Sequence, residues 1–286
     1  SEIYLQGKAF LKAARAFHVA GVTATSNVRA GQVYDVPITG TMAHSYIEAH
    51  DDELEAFRAF AEQYPETILL VDTYDTLDGV RRVVDLAEEL GEAFRVRGIR
   101  LDSGDLGALA RKARGLLDEA GLEEVEIFAS GGLDEFEIRR LLDEEEAPID
   151  GFGVGTRMGV SEDAPSLDSA YKLVAYDGRG RMKLSTGKAT LPGRKQIWRE
   201  EENGIARGDV IGLASEEREG RPLLEPVMRD GRRVDAHRRT LEESRSHARA
   251  ARDRLPERLR RLDDTDEPYP VRVSEALENE RDRVRR

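Results

Sequence analysis

The sequence predicts an α/β fold in which parallel strands alternate with helices, and three observations support this. Four short apolar runs begin at residues 68, 99, 125 and 151, so their starts lie 31, 26 and 26 residues apart. Segments with the apolar spacing of an amphipathic helix separate these runs. The runs are also too apolar to be half exposed, which is typical of parallel strands joined by crossover helices that cover both faces.

The predicted elements follow one another in a regular order. The strands are residues 68–73, 99–103, 125–130 and 151–156, and the helices between them are residues 77–90, 106–120 and 133–142. Upstream, residues 10–20 are expected to form a helix, 36–41 a strand and 47–64 the next helix. No Gly-x-Gly-x-x-Gly follows the first strand, which disfavours a doubly wound dinucleotide-binding sheet. Polar residues end every strand instead, and we therefore favour an irregular (β/α) barrel.

The rhythm changes after about residue 165. Residues 171–176 and 181–185 are expected to be strands around an Asp-Gly-Arg-Gly turn, and the β-like region continues through residues 188–199. Residues 236–261 read as a charged helix. The sequence thus predicts a barrel portion at 8–165, a β-rich and helical region at 166–273, and a polar tail at 274–286 that frays.

The composition limits the classes of function. A formal net charge of −13 disfavours a broad nucleic-acid surface, because binding many phosphates needs net positive charge. No run of about 18 apolar residues predicts a membrane span, and the first ten residues lack the layout of a signal peptide. The sequence contains no Cys, which excludes disulfides, thiolate nucleophiles and Cys-ligated zinc. We expect a cytoplasmic protein that binds neither nucleic acid nor a membrane.

The segment Arg-Leu-Asp-Ser-Gly-Asp at residues 100–105 ends one predicted strand and opens a helix. Strand alternation places Arg100 and Asp102 on the same face. There the carboxylate is suited to bind ribose hydroxyls or Mg²⁺, and the guanidinium is suited to a phosphate or another acidic group. The alternative is a structural ion pair in which Ser103 caps the following helix.

Two Gly-rich strand ends are candidates for binding phosphate. They comprise Ser130, Gly131 and Gly132 after the third strand, and Gly153, Gly155 and Thr156 after the fourth. Gly lets the backbone approach an anion closely, and the N–H groups where a helix begins can donate to it. In barrels the phosphate site often follows the last two strands. Each end alone also fits an ordinary tight turn, so the prediction depends on both together.

Two further polar residues lie at predicted strand ends. His44 follows the strand predicted at 36–41, where a group that titrates near neutral pH suits a general acid or base or a phosphoryl acceptor. The alternative is an incidental imidazole near a helix start. His44 and His50 are about 600° apart around a helix and do not share a face for a metal. Asp72 adds acidity to the same edge, whereas Asp75 is better placed to cap the next helix.

The lysines are unevenly distributed along the chain. The sequence has only seven Lys, and four of them lie between residues 172 and 195. A compact ammonium in a chain that otherwise uses Arg indicates contact with phosphates. We predict that Lys183 or Lys195 faces the mouth of the barrel. The alternative is a solvated hairpin with ordinary surface lysines.

Seven segments, in this order, resemble the nicotinate phosphoribosyltransferase family, and nicotinamide phosphoribosyltransferase more distantly. They are Thr-Ser-Asn-Val at 25–28, Gly-Thr-Met-Ala-His-Ser at 40–45, Leu-Val-Asp-Thr-Tyr-Asp-Thr at 70–76, Arg-Leu-Asp-Ser-Gly-Asp at 100–105, Gly-Phe-Gly-Val-Gly-Thr-Arg at 151–157, Tyr-Lys-Leu-Val at 171–174 and Leu-Pro-Gly-Arg-Lys-Gln at 191–196. The resemblance covers about residues 10–270, and the series is far more specific than any one member.

The resemblance implies the type II phosphoribosyltransferase fold, an irregular (β/α) barrel packed on a smaller α/β sandwich built from both chain ends. It implies transfer of phosphoribosyl from phosphoribosyl pyrophosphate to nicotinate, coupled to ATP hydrolysis, with Mg²⁺ and a homodimer expected. By resemblance, His44 matches the histidine that ATP phosphorylates, Arg100 and Asp102 match the base and ribose site, and Asp72 matches an acidic rim residue. The Gly-rich ends at 130–132 and 153–156 match the cradle of the 5′-phosphate.

The sequence departs from the family pattern at its start. Family members carry a further N-terminal stretch and a Phe-Gly-x-Arg-Arg-like motif before the first helix, where this sequence reads Glu2-Ile3-Tyr4-Leu5. We therefore expect a chain that lacks the usual N-terminal segment and has a partly incomplete sandwich. Two alternatives stay open. One is a related enzyme that acts on quinolinate or nicotinamide, and the other is a non-catalytic fragment that binds phosphoribosyl ligands or pairs with a full-length subunit.

Overall fold

The computed structural model describes residues 8–161, 171–184, 190–235, 239–263, 265 and 267–285. The chain divides into two compact units. The first, called here the sheet unit, is Ile38–Pro165, and the second unit combines Ser1–Pro37 with Ser166–Arg286. The chain ends therefore belong to one unit, and the middle of the chain forms the other.

The elements are numbered here in chain order within the described residues. The helices are α1 (Lys8–Ala20), α2 (Val28–Tyr34), α3 (His44–Glu48), α4 (Glu53–Gln63), α5 (Thr76–Leu90), α6 (Leu106–Glu119), α7 (Glu135–Arg139), α8 (Thr156–Val160), α9 (Leu241–Asp253) and α10 (Glu275–Arg285). The strands are β1 (Ile68–Leu70), β2 (Gly98–Leu101), β3 (Glu126–Ser130), β4 (Gly151–Gly153), β5 (Ala175–Tyr176), β6 (Arg179–Gly180), β7 (Lys195–Glu202), β8 (Ile205–Leu213), β9 (Arg221–Pro222), β10 (Met228–Arg229), β11 (Arg232–Arg233) and β12 (Val271–Val273). None of the helices in these parts of the chain is long and apolar enough to span a membrane.

The sheet unit is built on four parallel strands in the order β1-β2-β3-β4. Leu69, Ile99 and Ile127 are neighbours in the register of the first three strands, and all three are fully buried. Burying each of these side chains contributes roughly 2 kcal/mol to folding. Both faces of this sheet are covered by the rest of the unit. Polar side chains of these strands therefore reach solvent at the carboxyl-terminal edge of the sheet.

Aspartates determine where the helices of the sheet unit begin. The side chains of Asp52, Asp75, Asp105 and Asp134 each accept a backbone N–H in the first turn of α4, α5, α6 and α7. Such caps satisfy donors that have no partner inside the helix. Asp75 therefore caps α5 as predicted, whereas the cap of α6 is Asp105 and not the alternative, Ser103.

The second unit joins the two ends of the chain through α1 and α9. Arg245 of α9 donates to the carbonyl oxygens of His18, Gly21 and Val22, where α1 ends. Carbonyl oxygens at and just past a helix end have no N–H from a following turn, so the guanidinium of another helix is a suitable donor to them. This contact explains why residues 8–37 group with the C-terminal part, although the sequence placed them in the barrel portion.

The second unit also contains a mixed sheet with the order β12-β8-β7-β9. The central strands β7 and β8 form an antiparallel hairpin, and the Asn203-Gly204 turn between them has positive φ at both residues. Asn-Gly suits such a turn because both residues tolerate the left-handed region. Strand β12 then pairs with β8 in parallel, which ties the C-terminal segment to the hairpin.

A polar network holds this sheet together. Arg199 donates two hydrogen bonds of 2.9 Å to the carboxylate of Asp209, and the hydroxyl of Tyr269 donates to the same carboxylate at 2.9 Å. Burial alone would raise the pKa of Asp209, but the hydrogen bonds from Arg199 and Tyr269 outweigh it and hold that pKa below its ordinary value. The stability from this carboxylate is therefore present above its unfolded pKa of about 3.8 and is lost as the pH falls through the folded pKa.

The α/β class with parallel strands and crossover helices is confirmed. In the described residues the four parallel strands form an open sheet, so closure into a barrel stays a prediction. Residues 36–41 do not form the predicted strand, and the helix predicted at 47–64 is divided into α3 and α4. The break occurs because Asp52 adopts an extended backbone and caps a new helix.

The polar tail also differs from the prediction. Instead of fraying, residues 275–285 form α10, which buries Leu277 completely. The helix begins beside Ser274, whose hydroxyl accepts the backbone N–H of Leu277 at 3.2 Å and donates to Glu216 at 2.7 Å. One buried leucine and one cap thus anchor a segment whose average composition is polar.

We expect Asp209→Asn to destabilise the second unit by about 3 kcal/mol, because a partly buried guanidinium would lose its counter-charge. Glu257→Gln removes the partner of Arg261 in an exposed pair of the same unit and should cost much less, because water screens such a pair. Urea unfolding followed by the fluorescence of the one tryptophan, Trp198 in β7, measures both effects. Equal losses in the two variants would contradict this account of the network.

Candidate functional site

The candidate site lies at the carboxyl-terminal ends of β1, β2 and β3 in the sheet unit. Leu70 pairs with Arg100, and Arg100 pairs with Phe128, in the register of these strands. Side chains two residues further along each strand point to the same face. Asp72, Asp102 and Ser130 therefore belong to one face and one edge, as the sequence predicted for Asp72 and Asp102.

Asp72 is the buried link between two strand ends. Its side chain is only 8% exposed, and its Oδ2 accepts from the backbone N–H of Asp102 at 3.0 Å and from the hydroxyl of Ser103 at 2.5 Å. Its other oxygen, Oδ1, is buried and has no hydrogen-bond partner among the described residues. Asp72 thus fixes where β2 ends, and Ser103 serves as a donor to it.

Asp102 lies at the carboxyl-terminal end of β2, between the ends of β1 and β3. Its Oδ1 accepts a short hydrogen bond from the hydroxyl of Ser130, which is itself buried. Its Oδ2 accepts no hydrogen bond within the described part of the chain, and its side chain is 34% exposed. One oxygen therefore anchors the carboxylate while the other is available to a ligand.

The close approach of β3 to β2 depends on Gly131. Its φ is +94°, and a Cβ added there would lie 2.0 Å from the carbonyl oxygen of Asp102. Any side chain at this position would push the two strand ends apart. The need for glycine is thus explained by packing against Asp102, which is a different reason from the phosphate binding that the sequence suggested.

Arg100 reaches across the edge to the segment before α3. Its Nη1 donates a short hydrogen bond to the hydroxyl of Thr41, and its Nε is buried without a partner among the described residues. The guanidinium is therefore held at one end and keeps donors for another group. The structural ion pair of Arg100 with Asp102, which was the alternative interpretation, is not among the described contacts, because each has a different partner.

His44 is brought to the same edge as the first residue of α3, not as the end of a strand. Its Nδ1 lies 3.1 Å from the hydroxyl oxygen of Thr73, and its Nε2 lies 3.7 Å from Oδ2 of Asp102. The side chain is 39% exposed. A distance of 3.7 Å is too long for a hydrogen bond, so the described contacts leave Nε2 without one.

Glu53, the first residue of α4, is an acid that the sequence did not single out. Burial raises its pKa to about 7, because removal from water penalises the charged form. The positive charge of Arg82 opposes this shift, while the negative charges of Asp52, Asp78 and Asp72 add to it. Its Oε1 is buried without a hydrogen-bond partner in the described residues. Glu53 therefore keeps its proton to a higher pH than an exposed glutamate does.

The remaining predicted phosphate residues of the sheet unit lie at the ends of β3 and β4. These four residues, all exposed, are Gly132, Gly153, Gly155 and Thr156. Gly153 pairs with Ser130 in the register, which places this end of β4 beside the Asp102 anchor. The backbone of these residues is open to solvent. Their binding of phosphate stays a prediction.

Lys183 and Lys195 belong to the second unit. Nζ of Lys195 donates to the carbonyl oxygens of Leu191 and Gly193, both at 2.7 Å, and burial lowers its pKa. The ammonium thus organises the Leu-Pro-Gly-Arg-Lys loop from within. Lys183 is exposed, and its backbone N–H donates to Thr190. The predicted orientation of either lysine toward the barrel mouth stays a prediction.

Three residues that reasoning from the sequence missed are Thr41, Thr73 and Glu53. Thr41 and Thr73 lie inside the quoted motifs, so a hydroxyl at each position was a signal that could have been used. Glu53 carries no comparable signal, because its burial depends on how α4 packs against the rest of the sheet unit. Within the described residues, no group of three or more His, Asp or Glu side chains is arranged to hold a metal.

Comparison with known proteins places this geometry among phosphoribosyltransferases. The family model described as the nicotinate phosphoribosyltransferase C-terminal domain matches residues 217–281. A nicotinate phosphoribosyltransferase of Mycobacterium tuberculosis is 54% identical over 274 residues, which cover 96% of this chain and 59% of that protein. A nicotinate phosphoribosyltransferase of Bacillus subtilis is 44% identical over 213 residues, which cover 71% of this chain and 43% of that protein.

A solved structure shows the same similarity at the level of the fold. Human nicotinic acid phosphoribosyltransferase aligns with a TM-score of 0.79 at 28% identity, covering 94% of this chain and 66% of that chain. The chain therefore spans less than two thirds of the length of each of these relatives.

We expect Glu53→Gln to change how stability depends on pH. With a folded pKa of about 7 and an ordinary value of 4.5, the folded wild-type chain binds more protons between these values. Its stability relative to the Gln variant should therefore fall as the pH rises from about 4.5 to about 7 and then level off. Urea unfolding followed by circular dichroism across this range measures the difference. Glu55→Gln, at an exposed position of the same helix, should show no such trend, and parallel curves for wild type and Glu53→Gln would contradict the burial of Glu53.

Proposed function

Because the chain belongs to the nicotinate phosphoribosyltransferase family, we propose that it forms nicotinate mononucleotide and pyrophosphate from nicotinate and phosphoribosyl pyrophosphate, with ATP hydrolysed to ADP and phosphate. This is the first step of NAD salvage. The observation that carries the proposal is the convergence of His44, Arg100 and Asp102 at one edge of the parallel sheet, each with a free or exposed polar atom.

The carboxylates act on the ribose. In the reaction the bond from C1 of the ribose to pyrophosphate breaks, and its electron pair leaves with the pyrophosphate. The lone pair of the pyridine nitrogen forms the new bond to C1. The ribose carries positive character between these events, which a nearby carboxylate favours. Asp102, with one exposed oxygen, is the group that meets the ribose, and the buried Asp72 holds it in place.

Arg100 recognises the carboxylate of nicotinate. A guanidinium whose Nη1 is already held by Thr41 loses little freedom when it pairs with a ligand. A charge-assisted hydrogen bond to the nicotinate carboxylate then distinguishes this base from nicotinamide, which is neutral. Quinolinate carries a second carboxylate and would demand a further cation.

Exposed backbone at the Gly-rich strand ends receives the 5′-phosphate. The residues proposed for this are Gly131, Gly132, Gly153, Gly155 and Thr156, all of them in the sheet unit. The hydroxyls of Ser103 and Ser130 already donate to Asp72 and Asp102, so their part is to orient those carboxylates.

The residues at this edge fit Mg²⁺ only when the ion is brought by a phosphate-bearing substrate. Asp102 offers one carboxylate oxygen without a hydrogen bond, and Mg²⁺ is commonly held by one or two carboxylates together with substrate phosphates. When bound, the ion neutralises charge on the pyrophosphate. His44, exposed at the same edge, is proposed to accept a phosphoryl group from ATP. A homodimer in the cytoplasm is proposed from the family resemblance.

We expect His44→Ala to reduce formation of nicotinate mononucleotide about 100-fold or more, because the loss removes a group that reacts directly. His50→Ala is the matched control. His50 lies just beyond α3, its ring contacts the carbonyl oxygen of Tyr46, and no substrate group is predicted to lie beside it. The assay contains nicotinate, phosphoribosyl pyrophosphate, Mg²⁺ and ATP. No product from well-folded wild-type chain would favour the alternative, in which the chain binds phosphoribosyl ligands without converting them.

We expect Arg100→Gln to raise the KM for nicotinate by about 10-fold to 100-fold, as loss of a hydrogen bond to a charged group predicts. Arg97→Gln is the control, because Arg97 precedes the same strand but pairs on the surface with Glu126. Rates with nicotinate, nicotinamide and quinolinate should rank nicotinate first in the wild type. Preference for either other base would replace the proposed substrate while keeping the reaction class.

A further inference from the structure

The orientation of the His44 ring is not determined by its own torsional preferences. The torsion that turns an imidazole about its bond to Cβ is broad, so either nitrogen can face a given neighbour. Among the described residues the ring has one hydrogen-bonding contact, between Nδ1 and the hydroxyl of Thr73 at 3.1 Å. Nε2 is left facing Asp102 at 3.7 Å. The hydroxyl of Thr73 is therefore the group on which the orientation depends.

Thr73 is itself held in place by its neighbour in sequence. Asp72 is buried and binds the backbone N–H of Asp102 and the hydroxyl of Ser103, so the end of β1 is fixed to the end of β2. Thr73 follows Asp72 directly, in the bend just past β1. From this fixed position Thr73 contacts His44, the first residue of α3, which lies 29 residues earlier in the chain.

A hydroxyl is suited to this contact because it can both donate and accept. When Nδ1 of a neutral His44 lacks a proton, the threonine O–H donates to it, and when Nδ1 carries a proton, the hydroxyl oxygen accepts from it. The ring therefore keeps its orientation while its proton moves between the two nitrogens. A carboxylate could only accept, and an ammonium could only donate.

We infer that Thr73 is a positioning residue that acts through His44, holding Nδ1 so that Nε2 is the nitrogen presented to Asp102 and to a bound substrate. The role in turnover rests on the proposed function, because it requires that His44 reacts. The orientation itself does not, since it follows from the described contacts alone. The two parts are therefore tested by separate measurements.

The test compares Thr73→Val, which keeps the shape and removes the hydroxyl, with Thr73→Ser, which keeps the hydroxyl. Thr76→Val, three residues further along at the start of α5, is the matched control. Long-range ¹H–¹⁵N correlation spectra report the ring nitrogens, and a His44→Ala spectrum assigns the signals of His44 among the five histidines. We expect the Nδ1 resonance of His44 to move in Thr73→Val and to stay in place in the other two variants.

The same variants are assayed for turnover. Thr73→Val should lower kcat about 10-fold, as loss of one hydrogen bond predicts, and leave KM within about twofold. Thr73→Ser and Thr76→Val should stay within about twofold of the wild type in both constants. An unchanged Nδ1 resonance in Thr73→Val, or equal impairment in Thr73→Ser and Thr73→Val, would overturn the inference. If the wild-type chain shows no turnover, the proposed function fails, and the resonance alone decides the role of Thr73.

Discussion

The hydrogen bonds accepted by the buried carboxylate of Asp72 are the constraint on which the site depends. They join the end of β1 to the backbone of Asp102 and the hydroxyl of Ser103, across 30 and 31 residues of chain. Parallel strands are not joined by a tight turn that would set their ends. Contacts between neighbouring strands therefore fix the residue at which each strand ends. Asp72 sets that limit, and both Asp102 and Thr73 take their positions from it.

From this link the other contacts follow in order. Ser130 anchors one oxygen of Asp102, and Gly131 allows β3 to come near enough for this hydrogen bond. On the opposite side, Thr73 binds the ring of His44. The result is a carboxylate and an imidazole whose reactive atoms are exposed while their other atoms are bound. Such preorganisation lowers the cost of ordering these groups when a substrate binds.

Both units contain buried polar groups. In the second unit, Arg199, Asp209 and Tyr269 satisfy one another, as expected for a network that stabilises a sheet. Among the described residues, four buried side-chain atoms have no hydrogen-bond partner: Asp72 Oδ1, Arg100 Nε and Glu53 Oε1 in the sheet unit, and Arg258 Nε in the second unit. Unpaired buried polar atoms cost stability, and two of the four, on Asp72 and Arg100, belong to residues of the candidate site.

The sequence alone determined the order of strands and helices in the sheet unit, because buried parallel strands and amphipathic helices have distinct apolar periods. It also predicted that Asp72, Arg100 and Asp102 lie at one edge of the sheet, since polar residues near the ends of apolar strands have few other places to go. His44 lies at the same edge, but it begins α3 and does not follow the strand that the sequence predicted. Only the tertiary structure decided their partners: Arg100 with Thr41, Asp102 with Ser130 and His44 with Thr73. It likewise decided the burial of Glu53 and the helix in the polar tail. These outcomes depend on distances between segments far apart in the chain, and local periodicity contains no information about such distances.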